Sequence, residues 1–564
     1  MKVTANVLLN YIRCRRYASL NDPDAGYSSS EFDSASEYQV HVYRQNFLNL
    51  FLDTQEDLNI NHNLTYDFHP EIELSETYDF LTRDEQGEVI YCLFPTTSKD
   101  FLKQKYNSDG HKPQLFVKNN QGIYMVNIPE KQADQGNFKE KIRKLTDRRE
   151  DSGRMVYHYA FKRFLYDIVN PENTTRILFV FLNSDYVHDG LSYQKQLYHI
   201  FDFSEIYSLM KEIIEADIYR MINHLELSDF VACPLVKKEC RKGDSFECKF
   251  VDFCFSHIPK NNSILDYFDS HLGFEEPTEA GNVYHDTYDL INEGLVDMND
   301  IPISWLRNEL HLMQRYCLDT GKIHVNQLKI EALLKTLRYP LVYLDFEALP
   351  CLLPRFRGEK PYSQSVFQYS IHVEEDEGVL DKNGNSHYEF IANHDTDNRR
   401  ELVESMIKII NRFDSSVIVY HKTFEEQRLK ELQDIFPEYK NELQNIIDRL
   451  FDLKDVLKNN KKFYLKQGFS EADASRYNFY SCEMSGSYSL KKVIKVFNPN
   501  AYQDLTINNG EAAYKAYMSL EFLDQTDREN TINDLLEYCK QDTYSMYEII
   551  NGLRKHLSPD FHIR

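Results

Sequence analysis

The sequence predicts an α/β protein with more than one domain. Three observations carry that prediction. From about residue 336 the pattern runs strand, loop, strand, helix, as α/β domains do. Earlier, "ILFVFLNSDYV" (177–187) has the β-branched and aromatic content of a strand, and "SEIYSLMKEIIEADIYRMINHL" (204–225) has apolar residues at the spacing of a long amphipathic helix. At 564 residues, with 42% hydrophobic and 13% aromatic content, the chain can build two or three cores and is too apolar to be disordered.

In chain order, "MKVTANVLLNYIRCRR" has neither an unbroken apolar core nor a cleavage site, so no signal peptide is expected. No run approaches the roughly 18 apolar residues of a membrane span. A cytoplasmic protein with reduced cysteines is expected. Two basic runs, "KEKIRKLTDRR" (139–149) and "CPLVKKECRKG" (233–243), are either solvated faces or phosphate contacts. Residues 256–335 read as helical and connective, with Pro and Asn punctuation near 259–263 and 300–302. The last helix is expected over 531–557. The expected domains are therefore 1–255, 256–335 and 336–564. A net charge of −24 argues against a uniformly basic nucleic-acid coat but leaves local phosphate contacts open.

"PLVYLDFEALP" (340–350) carries two acids, Asp345 and Glu347, in an apolar strand. Side chains at i and i+2 of a strand point the same way. Two like charges this close raise each other's pKa unless a cation lies between them. Magnesium or manganese, hard ions with oxygen ligands, is the natural cation. Alternatively the strand ends earlier and both acids are solvated. "SSVIVYHKTFEEQRLKEL" (415–432) delivers Glu425 and Glu426 just past a second strand end. In the final helix Tyr538 and Asp542 are four apart and share a face.

A strand acid pair, a post-strand acid and a helical Tyr-x-x-x-Asp, in that order, resemble the three motifs of DEDD exonucleases of the tyrosine subtype. The chain is similar, more closely, to the bacterial domain-of-unknown-function 2779 family, with its DnaQ-like core. The similarity runs through "YPLVYLDFEALP", "KPYSQSVFQYSIHV" (360–373), "VYHKTFEEQRLKEL", "FDLKDVLK" (451–458), "SGSYSLKKVI" (485–494) and "LLEYCKQDTYSMYEII" (535–550).

This resemblance implies a ribonuclease-H-like fold with a central mixed sheet. It also implies a two-metal 3′-to-5′ exonuclease using Mg²⁺ or Mn²⁺, acting on nucleic acid, with single-stranded DNA ends as the expected substrate. Asp345, Glu347, Glu425 and Asp542 would hold the metals, and Tyr538 would orient the attacking water. Glu425 stands where most DEDD enzymes have Asp. Asp452 would be an outer carboxylate or a helix-start acid. Lys491 and Lys492 would contact phosphate or be solvated, behind a Ser-rich segment suited to helix capping. An RNA exonuclease would use the same site. A DNA-binding or scaffold protein of a repair or defence complex, with a decayed nuclease half, is the alternative of a different class.

Residues 233–254, "CPLVKKECRKGDSFECKFVDFC", lack the tight knuckles of a zinc ribbon. With Cys14, the late cysteines resemble the iron–sulfur nucleases related to RecB and the CRISPR adaptation nucleases. That resemblance implies a [4Fe–4S] cluster on Cys14, Cys240, Cys248 and Cys254, with zinc at the same residues as the alternative and Cys233 as a spare. It further implies a restriction-endonuclease-like core in 1–255. "SETYDFLTRDEQGEVIYCLFPTTSKDF" (75–101) follows its strand–turn–strand outline, with Asp79 as the first acid. Cys92, Leu93 and Phe94 stand where Glu-x-Lys belongs, so this half is expected to be catalytically dead. Cys92, Cys317, Cys351, Cys482 and Cys539 are expected to pack in cores.

Overall fold

In the computed structural model of the protein, residues 1–563 are described except 17–19, 21–33, 53–56, 109–110, 131–133, 173, 227–235, 241–247 and 249. The chain is mixed α/β and divides into two compact units. Unit 1 is 1–234, 239–252 and 351–363; unit 2 is 235–238, 253–350 and 364–564. The segment expected to be a separate connector, 256–335, groups with the C-terminal residues. No described helix is long and apolar enough to cross a membrane.

Unit 1 is built on an eight-stranded mixed sheet. Its central hairpin is Ile72–Asp84 with Gly87–Thr97, and the apolar strand Arg176–Leu182 runs parallel to the second arm. Helices Asp151–Val169 and Ser204–Glu226 contribute Tyr157, Phe161, Ile214 and Ile218 to the core cluster of this unit, together with Phe101, Phe179 and Phe201. A charge pair lies inside: Lys162 Nζ donates to Glu76 Oε2 at 2.7 Å, while the other Glu76 oxygen accepts the Ala5 N–H at 2.8 Å.

Unit 2 contains a five-stranded sheet. Its spatial order is His387–Ile391, Gln364–Glu374, Leu341–Pro350, Val417–Val419, Leu450–Asp452. Numbered along the chain, that order is 3-2-1-4-5, and only the second strand runs against the rest. The central strand is covered on both faces, and its alternation sorts its side chains. Val342, Leu344 and Phe346 pack with Leu402, Met406 and Leu429. Leu341 and Tyr343 pack on the other face with Met546, Ile550 and Leu553 of the C-terminal helix Gln525–Arg554. Asp345 and Glu347 continue that second series, so they face the C-terminal helix.

Polar contacts fix the helix's register on the sheet. Gln368, opposite Glu347, donates to the Leu535 carbonyl at 2.8 Å. Thr543 meets Ser370 at 2.9 Å and His372 at 2.8 Å. At the far end, fully buried Glu374 accepts from Arg554 at 2.9 Å and from the hydroxyls of Tyr339 and Tyr343. Removing one partner of a buried ion pair strands the other charge. Glu374→Ala should therefore destabilise unit 2 by about 3–5 kcal/mol, read as a lowered thermal midpoint with unit 1 unaffected.

The 256–335 stretch differs from the expectation. It holds a two-stranded hairpin, Phe274–Thr278 with Gly281–His285, among short helices. Its turn, Glu279–Ala280, has no glycine, and its strands are largely exposed, with Val283 and Tyr284 on the surface, so no apolar alternation announced it.

Candidate metal centre

The neighbouring strand Gln364–Glu374 bulges opposite the Glu347–Ala348 step, where Phe367 is the extra residue, just beyond the acid pair. Bulges of this kind re-aim side chains beside functional sites. Across from the strand, Tyr538 and Asp542 lie one turn apart on the C-terminal helix, 3% and 5% exposed. One ligand atom each from Asp345, Glu347 and Asp542 lies within 4.8 Å of the others. Among the described residues this is the only group of three or more carboxylate, His or Cys ligands so arranged.

Glu425 joins them from a different element. It sits in the first turn of helix Lys422–Ile435, which follows the Val417–Val419 strand, and is only 2% exposed. Its Oε2 is buried without a hydrogen-bond partner among the described residues. Its neighbour Glu426 turns outward to Lys430. Asp452 acts as a brace. It caps its own helix through the Lys454 N–H at 3.0 Å and also accepts the His421 and Lys422 N–H groups at 3.1 and 3.0 Å. It therefore ties down the turn that presents Glu425. Asp452→Ala removes caps worth about 1 kcal/mol each at two helix starts. The expected result is a lower thermal midpoint and a loss of activity smaller than that of any ligand variant.

The electrostatics are those of crowded acids. Burial pushes the carboxyls of Asp345 and Glu347 well above the usual range, and neighbouring acids push them further. Asp542 is raised by burial, against the pull of Lys491 and of the Tyr502 and Tyr538 hydroxyls. Glu425 is pushed up to about 9 by burial and by Asp345. The ammonium that offsets this charge is that of Lys491, held down from its ordinary value by burial. Its Nζ donates to the Tyr538 hydroxyl at 2.7 Å and lies 4.5 Å from that ring's centre.

Two groups at the site, Tyr502 and Cys539, were not assigned to it from the sequence. Tyr502 donates to Asp542 from a loop that carries no motif. Cys539, expected only to pack, is fully buried but also donates its S–H to Asp345 at 3.6 Å; its place beside Tyr538 on the helix was the available signal. Lys491 turns to the acids, whereas Lys492 lies near Asp266. Ser489 stands at the start of their helix but makes no side-chain cap, contrary to expectation.

The expected metal positions of unit 1 are engaged otherwise. Asp79 pairs with Arg44 and accepts the Leu93 N–H at 2.8 Å. Cys92 is fully buried, and burial pushes its thiol up. Of the basic run 139–149, Arg148 is bound to buried Asp217 and Lys144 pairs with Glu140. Most of the run 233–243, Cys233 included, lies outside the described residues.

Cys240 and Cys254 are buried, and Cys14 and Cys248 half-buried. The Cys248 N–H donates to the Cys240 carbonyl at 3.2 Å, which joins those two segments of unit 1. The sulfurs of Cys14, Cys240 and Cys248 do not form a group within 4.8 Å. A tetrahedral zinc would need them about 3.8 Å apart. A cluster, whose irons stand between the thiolates, holds them more widely.

Residues 342–489 match a family model described as a domain of unknown function, DUF2779. The match includes Asp345, Glu347, Glu425 and Asp452 and stops before Lys491, Tyr538 and Asp542. Similar curated proteins are themselves uncharacterized. MG366 of Mycoplasma genitalium is 27% identical over 229 residues, 37% of this chain and 31% of that protein. Its homolog in Mycoplasma pneumoniae is 26% identical over 275 residues, 46% and 39% of the two chains. UU173 of Ureaplasma parvum is 27% identical over 249 residues, 41% and 34%. The chain thus matches between 31% and 39% of the length of these relatives. No solved structure matches.

Proposed function

We propose that unit 2 is a metal-dependent 3′-to-5′ exonuclease acting on single-stranded DNA ends. The observation that carries the reading is the set of four buried or half-buried carboxylates drawn from three elements, only partly offset by Lys491 and, at Glu425, by Arg428. Such a set is costly without cations. The partnerless oxygen of Glu425 and the oxygen-only donor set suit Mg²⁺ or Mn²⁺. The 3-2-1-4-5 sheet order, with its second strand reversed, supports a ribonuclease-H-like fold.

Asp345, Glu347, Asp542 and Glu425 would hold the metals. When bound, two such cations supply activation of water and stabilisation of charge in an in-line phosphodiester displacement. The residues do the rest. Tyr538 accepts from Lys491 and its hydroxyl faces Asp542, so it is held beside the carboxylates, where it would orient an attacking water. Tyr502 and Cys539 fix the rotamers of Asp542 and Asp345. Unit 1 is assigned no hydrolytic step, because Asp79 and Glu76 are spent on Arg44 and Lys162. The [4Fe–4S] cluster on Cys14, Cys240, Cys248 and Cys254 rests on the resemblance of their spacing, and iron analysis of anaerobically purified protein decides it against zinc.

The function is tested by digesting 5′-labelled single- and double-stranded DNA and RNA with Mg²⁺ or Mn²⁺. Stepwise shortening of single-stranded DNA is expected. Preference for RNA would change the substrate, and nucleic-acid binding without cleavage under either metal would favour the scaffold alternative.

A further inference from the structure

A cavity of about 300 Å³ opens beside the carboxylates, and Lys491 and Tyr502 line both. That volume is at the small end of ligand sites, suited to a single nucleotide unit. Lys495 follows Lys491 by four residues on the helix Leu490–Phe497, so both ammoniums lie on one face. Lys495 is exposed and has no ion pair or hydrogen bond from its side chain among the described residues. In a chain of net charge −24, an uncommitted lysine beside a wall of acids is a local attraction for an anion. Ile494, Pro499 and Ala501 provide an apolar wall. Gln503 and Asn508 place amides at the rim, able to donate to and accept from a base edge.

We propose that this cavity is the subsite for the nucleotide next to the cleaved bond. Lys495 takes its backbone phosphate, the apolar wall takes the sugar and base faces, and the rim amides take the base edge. Lys491 stands at the boundary between subsite and carboxylates. The ligand class is a phosphodiester-linked nucleotide of a single strand, which a double helix could not thread into so small a cavity. The proposal deepens the exonuclease reading and rests on it for the word "cleaved".

The test is fluorescence anisotropy of a labelled single-stranded oligodeoxythymidine, and of the matching oligouridine, on full-length Asp345→Asn protein, which is expected to cleave the probe too slowly to consume it. Lys495→Glu is expected to weaken binding about tenfold and to lower the log–log salt slope by about 0.7, the loss of one phosphate contact. Lys495→Arg should restore both. Lys492→Glu makes the same charge change on the helix face near Asp266 and should have a much smaller effect. Equal weakening by Lys492→Glu and Lys495→Glu would overturn the subsite, because net charge alone would explain it. Lys495-specific binding without cleavage by the wild type would keep the subsite and remove the exonuclease. Cleavage with Lys495-independent binding would do the reverse.

Discussion

Asp345→Asn should lower nuclease activity by a factor on the order of 10²–10³, while the metal-free protein becomes no less stable. Loss of a single preorganised charged group at a reacting centre costs on the order of 10²–10³ in kcat, and Asp345 contributes to the ligand trio from the middle of the central strand. The amide keeps the shape and still accepts from Cys539, so packing is preserved. It also removes one of the charges that raise the carboxyls of Glu347 and Glu425, which relieves the folded state. A single-turnover cleavage assay paired with a thermal melt reads both halves. Activity within a few-fold of the wild type would move the chemistry elsewhere, and a collapsed melt would make Asp345 a structural residue.

The second large effect is on stability, and it follows from the same acids. A carboxyl whose folded pKa is raised contributes stability that is complete below its unfolded pKa and is lost as pH rises through the folded value. For Glu425 that window runs from its ordinary 4.5 to about 9; Asp345, Glu347 and Asp542 shift in the same direction. The buried histidines act with the opposite sign. His372 and His387 are lowered from 6.5 to about 4 and about 3, so they destabilise only below pH 6.5. Between pH 6.5 and 8 the acids therefore dominate. With metal chelated, the thermal midpoint of unit 2 should fall across that range by several degrees, at about 2–4 °C per kcal/mol for a domain of this size. Mn²⁺ should abolish the fall, because a cation compensates the charge. Glu425→Gln should flatten it without metal. A midpoint independent of pH, or raised by chelation, would contradict the account.

Much of this site could be read from local spacing. Asp345 and Glu347 share a face because strand side chains alternate, and Tyr538 and Asp542 share one because a helix turns every 3.6 residues. Glu425 follows a strand end directly. These are short-range rules, and the sequence displays them. Tyr502 and Lys491 reach the same carboxylates from segments separated from them by dozens of residues, so only the folded chain joins them. Cys539 was read only as core packing, although the helix that carries Tyr538 and Asp542 also fixes its direction. Asp452 illustrates a third case. Its capping role was legible, but its grip on the turn before Glu425 depends on two parallel strands being adjacent. In unit 1 the hairpin of Asp79 and Cys92 followed the expected outline, whereas the Lys162–Glu76 pair, which joins a helix to a strand across 86 residues, left no trace in local pattern.

The most direct test of the central claim is calorimetric titration of Mn²⁺ into the metal-free full-length protein at pH 7.5, with Asp345→Asn beside it. Two Mn²⁺ ions per chain are expected for the wild type, with proton release because acids raised by burial must ionise to bind, and at most one weak ion for the variant. Equal binding by both proteins, or no binding by the wild type, would contradict that claim.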